Sequence, residues 1–277
     1  MAKQAKLDRG NAVITSQFDF GGNWCDFAAN HLSVKRIEEA RRDFRALTSG
    51  MDLESTTFLD VGFGQGLGSL LAEEMGAKVV GIDSNPKCFE AVEVIRKAFP
   101  NDAGKNLDLV VGSILSAEDV EMLRAKTSRG YDVIHAWGVL HHTGKMAEAF
   151  ANCAKLLKDE GHFIVAIYNA HWSSPFWKKV KYLYCLSGRK TRKTMIWLFA
   201  PLVIGAKMLV KKGSPFDKER GMDFIVDLVD WVGGYPYEWA TVEQIVDLGE
   251  EHDLQIVRVI PANVPTGCNQ FVFRRKI

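Results

Sequence analysis

The sequence predicts an α/β fold built on a doubly wound, mostly parallel sheet, and three observations lead there. Short apolar runs alternate with amphipathic stretches between residues 57 and 168, the pattern of strands joined by crossover helices. The first run, Phe58-Leu59-Asp60-Val61, ends by opening into Gly62-Phe63-Gly64-Gln65-Gly66-Leu67-Gly68, with glycine at every second position. The second, Val79-Val80-Gly81-Ile82-Asp83, also ends in an acid. A buried strand that turns sharply into a helix through glycines lets a ligand lie against the backbone. A carboxylate at the end of the next strand can accept hydrogen bonds from ribose hydroxyls. The pair indicates a nucleoside cofactor.

Each element can be justified in order. Ile37, Ala40, Phe44 and Leu47 recur at helical spacing and predict an amphipathic helix over Asn30–Leu47. Thr57–Val61 is strand one, Gly68–Met75 the following helix and Lys78–Ile82 strand two. Pro86–Ala98 is helical, because proline is favoured in a first turn, and Asp108–Val111 is strand three. Ala117–Thr127 is a helix and Tyr131–Ala136 strand four. Ala147–Leu157 is a helix, Lys158-Asp159-Glu160-Gly161 a turn and His162–Tyr168 strand five. Beyond residue 240, Thr241–Glu251 is a helix, Leu254–Ile260 strand six and Asn269–Arg275 strand seven. The whole chain, 1–277, is expected to form one domain, with residues 1–50 as a helical cap and 169–240 as a helical insertion.

The glycine spacing identifies the cofactor class. A dinucleotide fingerprint needs a third glycine five residues after the first, but those positions hold Leu67 counted from Gly62 and Ser69 counted from Gly64. Asp60 followed by Gly62, Gly64, Gly66 and Gly68 instead resembles motif I of the class I S-adenosylmethionine (SAM) methyltransferases. That resemblance covers roughly Thr57–Tyr168 and Thr241–Ile277. It implies a seven-stranded sheet whose last strand is antiparallel and inserted beside the sixth, SAM as donor and S-adenosylhomocysteine as product. It places Gly62, Gly64 and Gly66 around the methionine part and ribose and Asp83 on the ribose, with Asp60 and Ser84 also assigned to the cofactor. Asp83 has an alternative role as a cap for the helix after Pro86. Many members carry an acid after strand three that contacts adenine. Here Gly112-Ser113-Ile114 stands in that place, leaving Ser113 to hydrogen-bond and Ile114 to stack.

Further resemblances concern the acceptor. Trp137, at the end of strand four, is assigned to the cofactor. The loop Gly138-Val139-Leu140-His141-His142 is similar to the corresponding loop of ubiquinone- and menaquinone-biosynthesis-type methyltransferases. A neutral imidazole there can take the proton from an acceptor hydroxyl, and His141 is taken before His142. Either histidine could instead cap the next helix or bond within the core. The segment Gln17-Phe18-Asp19-Phe20-Gly21-Gly22-Asn23-Trp24 resembles one found ahead of motif I in uncharacterised bacterial class I methyltransferases. Asn23 and Trp24 would then face the methionine end, unless the segment only plugs a sheet edge. The same group shares Arg220-Gly221-Met222-Asp223 through Gly233-Gly234-Tyr235-Pro236-Tyr237-Glu238. Tyr168, Asn169, Trp231, Tyr235 and Tyr237 are the acceptor-pocket candidates, the alternative being aromatic packing of the insertion onto the sheet.

Composition narrows the rest. Five cysteines lie scattered without metal-ligand spacing, which argues for a reducing compartment and against a zinc site or disulfides. The polar start MAKQAKLDRGNAV has no apolar core, so a cytoplasmic location is expected. Net charge is +1, yet ten Lys and Arg residues and no acid lie between Lys178 and Lys212. Inside that segment, residues 195–206 are apolar and aromatic but shorter than the roughly 20 residues a membrane span needs, and Pro201 and Gly205 are expected to break or bend a helix. A cap over the site or a homodimer contact is placed ahead of peripheral membrane contact through 195–212. The functional expectation is SAM-dependent O-methylation of a small, anionic acceptor: a sugar, a lipid-linked intermediate or a secondary metabolite. RNA methylation and a non-catalytic SAM-binding regulator are the alternatives, although no nucleic-acid-binding module is evident and the remainder of the chain is acidic. A nicotinamide oxidoreductase ranks behind both.

Overall fold

The computed structural model describes residues 17–99, 103–210 and 224–276. Seven strands form one sheet: β1 (Thr57–Val61), β2 (Lys78–Asp83), β3 (Leu107–Val111), β4 (Tyr131–Trp137), β5 (Leu157–Tyr168), β6 (Leu254–Ile260) and β7 (Cys268–Arg275). Their order is β3-β2-β1-β4-β5-β7-β6. All neighbours are parallel except β7, which runs antiparallel to both β5 and β6. The chain winds outward from β1 to β3 and then restarts at β4 on the other side of β1. The crevice above β1 and β4 is therefore the switch point, where ligands of such sheets bind.

Alternation along the strands fills two cores. Leu59, Val61, Ile134, Phe163 and Val165 face one side, where α5 (Ala117–Ala125), α6 (Met146–Leu156) and α10 (Val242–Glu250) cover the sheet. Phe58, Val79, Val133 and Ile164 face the other, under α2 (Val34–Leu47), α3 (Leu67–Glu74) and α4 (Lys87–Arg96). Side-chain caps start several helices: the Ser33 hydroxyl accepts from Arg36 N at 3.3 Å on α2, and Thr241 with Gln244 forms a capping box on α10.

The predicted strands are present with boundaries within one residue, except that β5 begins early. Lys158-Asp159-Glu160-Gly161, expected as a turn, lies inside β5. Leu157 pairs with Tyr131, the register then shifts, and Glu160 takes φ +61°. The polar run is a bulge that bends the strand without ending it. The predicted helix from Asn30 starts later: Phe27–His31 is a π-helical turn and α2 begins after Ser33. Ahead of it, α1 (Phe20–Asp26) is capped by Asp19.

The insertion holds α7 (Ser174–Leu186), α8 (Arg189–Val210) and α9 (Phe224–Gly233). Val180, Tyr184, Leu228 and Val232 form its own small core. Pro201, expected to break a helix, sits within α8. Its fixed φ is helical; what it removes is the bond to the carbonyl of residue 197, and Trp197 is exposed, so water can satisfy that carbonyl. Residues 1–16 of the predicted cap, and Lys211, Lys212 and Arg220–Asp223 of the insertion, lie outside the described residues.

Candidate active site

A cavity of about 1480 Å³ occupies the switch point. Gly62 and Gly64 take φ +69° and +55°, where side chains are strained. A Cβ on Gly62 would stand 2.5 Å from Val139, and one on Gly64 2.8 Å from the Trp24 indole nitrogen. The loop is thus a bare-backbone cradle with an aromatic wall. Asp83 closes it: one carboxylate oxygen accepts from Gly64 N at 2.9 Å and the other from Asn85 N at 2.8 Å. The Cys88 thiol is a third partner. A carboxylate has about four acceptor sites, so one stays available, and burial raises the Asp83 pKa. The capping alternative is not what the structure has: α4 starts after Pro86 with no side-chain cap, and Asp83 braces the turn ahead of it through Asn85 N. Ser84, Ser113, Ile114, Trp137 and Trp24 also line the cavity.

Some candidates fall elsewhere. Gly66 begins α3 and packs on Val92, outside the cavity lining. Asn23 donates to Val226 O at 3.3 Å and Asp230 at 3.4 Å, tying α1 to α9 and not facing the methionine end. Asn169 exchanges hydrogen bonds with Asn269 and Pro265 O, and Tyr235 packs on Tyr182; neither lines the cavity. Tyr237 is buried behind Tyr168, with its phenol pushed up to about 12 by burial. Tyr168 and Trp231 do line it.

Both histidines sit on a 3-10 turn just past β4, between the crevice and the insertion. The two rings lie 4.4 Å apart, and Tyr168 is 4.2 Å from His141. His142 Nδ1 donates to Pro236 O at 2.6 Å, which leaves Nε2 as the acceptor nitrogen. His142 keeps 9% of its surface against 1% for His141, so the geometry favours His142 for contact with an acceptor. Burial is the main reason both imidazoles are held below their ordinary pKa, His142 at about 3. The charge of Lys181 adds to it.

Two features were missed from sequence. Lys181 reads as one more solvated cation, yet it is fully buried. It donates to Trp231 O and stands 4.7 Å from the Tyr237 ring and 5.1 Å from the Trp231 ring. Helical phase could have found it, since Trp177, Lys181 and Tyr184 share one face of α7. The second is His135, opposite Asp60 in the β1–β4 register. Asp60 accepts from His135 Nδ1 at 2.8 Å and from the Ser69 hydroxyl at 2.6 Å. Both carboxylate oxygens have a partner, as in Asp83, and Asp60 and His135 both line the cavity.

Overhead, the amino-terminal segment runs across the cavity as a strap. Phe18 N donates to Tyr235 O at 2.9 Å at one end, and Asp19 pairs with Lys87 and Asn85 at the other. Trp177, Leu228 and Trp231 complete the roof.

The family model for the methyltransferase domain matches residues 34–201. The chain belongs to that methyltransferase family. It is 28% identical over 177 residues to a ubiquinone biosynthesis O-methyltransferase of Photobacterium profundum, covering 63% of this chain and 68% of the relative. A Caulobacter vibrioides protein of the same name is 32% identical over 168 residues, covering 60% and 63%. The chain thus spans about two thirds of the length of these relatives. Among solved structures, magnesium protoporphyrin IX methyltransferase from Synechocystis, crystallised with bound S-adenosylhomocysteine, superposes with a TM-score of 0.54 at 14% identity. That match covers 92% of this chain and 94% of the other. An O-methyltransferase family protein from Burkholderia thailandensis gives 0.53 at 12%, covering 87% and 57%. The expected class I fold and its SAM donor stand.

The methyltransferase cradle fits that donor: bare peptide at Gly62 and Gly64, an acceptor site left on Asp83, and a closed wall at Trp24. Asp83→Ala is expected to weaken S-adenosylhomocysteine binding by about 1–3 kcal/mol, because a ribose acceptor is lost and Gly64 N loses its partner. Titration calorimetry reads this directly, and unchanged affinity would limit Asp83 to bracing the backbone at Gly64 and Asn85. Acid provides another check. With folded-state pKa values lowered, the histidines bind protons only when the methyltransferase unfolds, so their stabilising effect is complete above ~6.5 and erodes as pH falls toward the folded values. Each contributes a slope of about 1.4 kcal/mol per pH unit. Urea denaturation from pH 6.5 to 5 should show that loss, and His142→Asn should make the slope shallower by about one histidine.

Proposed function

We propose that this methyltransferase O-methylates a small acceptor bearing an acidic group, with His142 receiving the hydroxyl proton. The observation that carries this reading is one continuous cavity, lined by the glycine cradle and by His142, Tyr168 and Trp231, with Lys181 buried against the last two rings. The names of the relatives support oxygen as the methylated atom. The sulfonium donor supplies an electrophilic methyl group. The chain's own part is to hold the acceptor oxygen in line with that carbon, exclude water under the strap and insertion, and take one proton at His142 Nε2. As the oxygen–carbon bond forms, the carbon–sulfur bond breaks and the electron pair stays on sulfur.

Beside the histidines, Lys181 favours an anionic group on the acceptor, while Asp19, Asp43, Asp60, Asp83 and Asp230 line the cavity as a whole. A cationic imidazolium is penalised in the empty cavity by burial and by Lys181, and a negative group on the acceptor offsets both. Anionic sugars, lipid-linked intermediates and acidic secondary metabolites share this property. The deciding experiment incubates the protein with isotopically labelled SAM and a metabolite extract, followed by mass spectrometry. An O-methylated acid is the expected product. Label on nitrogen, label recovered only in RNA, or donor binding without any transfer would reject the proposal.

A further inference from the structure

The inward face of α7 closes the cavity; its outward face and that of α8 present a different chemistry. Large apolar side chains lie exposed on this hairpin, Trp197 at 82%, Phe176, Tyr182, Leu183, Leu186 and Leu198, and Trp172 at 86% lies in the turn just before α7. Elsewhere among the described residues the large exposed apolar side chains are single valines, Val34, Val94, Val111 and Val257. Phe176, Lys179, Leu183 and Leu186 follow one another at three- and four-residue steps, which places them on one side of α7. Lys190, Lys193 and Trp197 do the same on α8.

Charge accompanies the apolar surface. Lys179, Arg189, Lys190 and Lys193 are exposed on the same two helices, and no acid occurs anywhere from Gly161 to Lys212. Arg192 is the exception that holds the turn, donating to Tyr184 O at 3.0 Å and to Cys185 O at 2.6 Å. The hairpin is therefore pinned to its own core, with cations and aromatic rings pointing outward together. No helix among the described residues is long and apolar enough to cross a membrane.

We propose that this outward face of the α7–α8 hairpin docks on the surface of an anionic lipid bilayer. Indole and phenyl groups gain by leaving water at the headgroup boundary, while lysines and arginines meet lipid phosphates. A second copy of the chain is disfavoured by the same residues. A two-fold contact would set cation against cation with no carboxylate on the face to relieve it. An RNA would use the cations and leave Trp197, Leu198 and Leu183 without an apolar partner. The inference is independent of the reaction, because no residue of this face touches the cavity.

The test is co-sedimentation of the full chain with phosphatidylcholine vesicles prepared with or without phosphatidylglycerol. Binding is expected only to the phosphatidylglycerol vesicles. It should weaken sharply as salt shortens the screening length from about 30 Å at 0.01 M to about 8 Å at 0.15 M. Lys179→Glu/Lys190→Glu/Lys193→Glu should lose at least on the order of a hundredfold in affinity. Phe176→Ser/Trp197→Ser should lose on the order of tenfold or more through the apolar contribution. Both variants should keep wild-type S-adenosylhomocysteine affinity, which verifies their fold. Absence of vesicle binding at low salt, equal binding by the folded triple variant, a dimer dissociated by Trp197→Ser without vesicle binding, or RNA capture in place of vesicles would each overturn the proposal.

Discussion

His142→Ala is expected to cut methyl transfer by about 10²–10⁴-fold while leaving S-adenosylhomocysteine affinity near wild type. The imidazole lies beyond the donor cradle, its Nδ1 is committed to Pro236 O and its Nε2 is the nitrogen free to receive a proton. Removing the ring removes the proposed proton acceptor and a surface against which Phe20 packs at 4.8 Å. The cradle at Gly62, Gly64 and Asp83 is untouched. His141→Ala is the comparison, since His141 is less accessible and sits between His142 and Tyr168. Rates are to be measured on the acceptor labelled by the wild type. If His142→Ala turns over at the wild-type rate and His141→Ala does not, the roles are exchanged. If neither variant loses turnover, the acceptor arrives without a proton to remove.

Asp60→Ala should have the largest effect on stability. Its carboxylate is buried and satisfies both His135 and Ser69. Alanine leaves an imidazole N–H and a hydroxyl without partners under α3, with a cavity where the carboxylate stood. A loss of about 2–5 kcal/mol in urea denaturation is expected. His135→Ala removes one partner, leaves Ser69 bonded and should cost less. Donor affinity should fall in both variants, because this cluster backs the wall beside the cradle. A change within about 0.5 kcal/mol for Asp60→Ala, the range of ordinary surface substitutions, would mean that water replaces the carboxylate fully.

Much of the architecture was legible because period-2 apolar runs and helix caps agree with the global fold. The donor cradle was legible for a related reason: glycine spacing and terminal acids are local signals. Asp60 shows the limit, since the motif identifies the residue but its function depends on His135, 75 positions away. A histidine within an apolar strand carries no local mark. Lys181 was hidden by its neighbours, because a basic run conceals the single position whose helical phase points inward. The bulge at residues 158–161 misled for the opposite reason: polar residues and glycine imitate a turn, and only pairing with β4 and β7 keeps the strand going. Residues Asn23, Asn169 and Tyr235 were close to the cavity in sequence logic, but their side chains bond the frame around it.

The placement of β7 has a consequence for biosynthesis. On the described sheet β6 touches no strand but β7, and β7 fills the gap beside β5. A ribosome that has released everything up to Ile260 therefore presents β5 as an open edge and β6 without a seat. The sheet closes from its carboxyl end inward, in one late step. Until then the half-built molecule offers a strand template to any neighbour, and a nascent chain stalled before Cys268 is the species most in need of a chaperone.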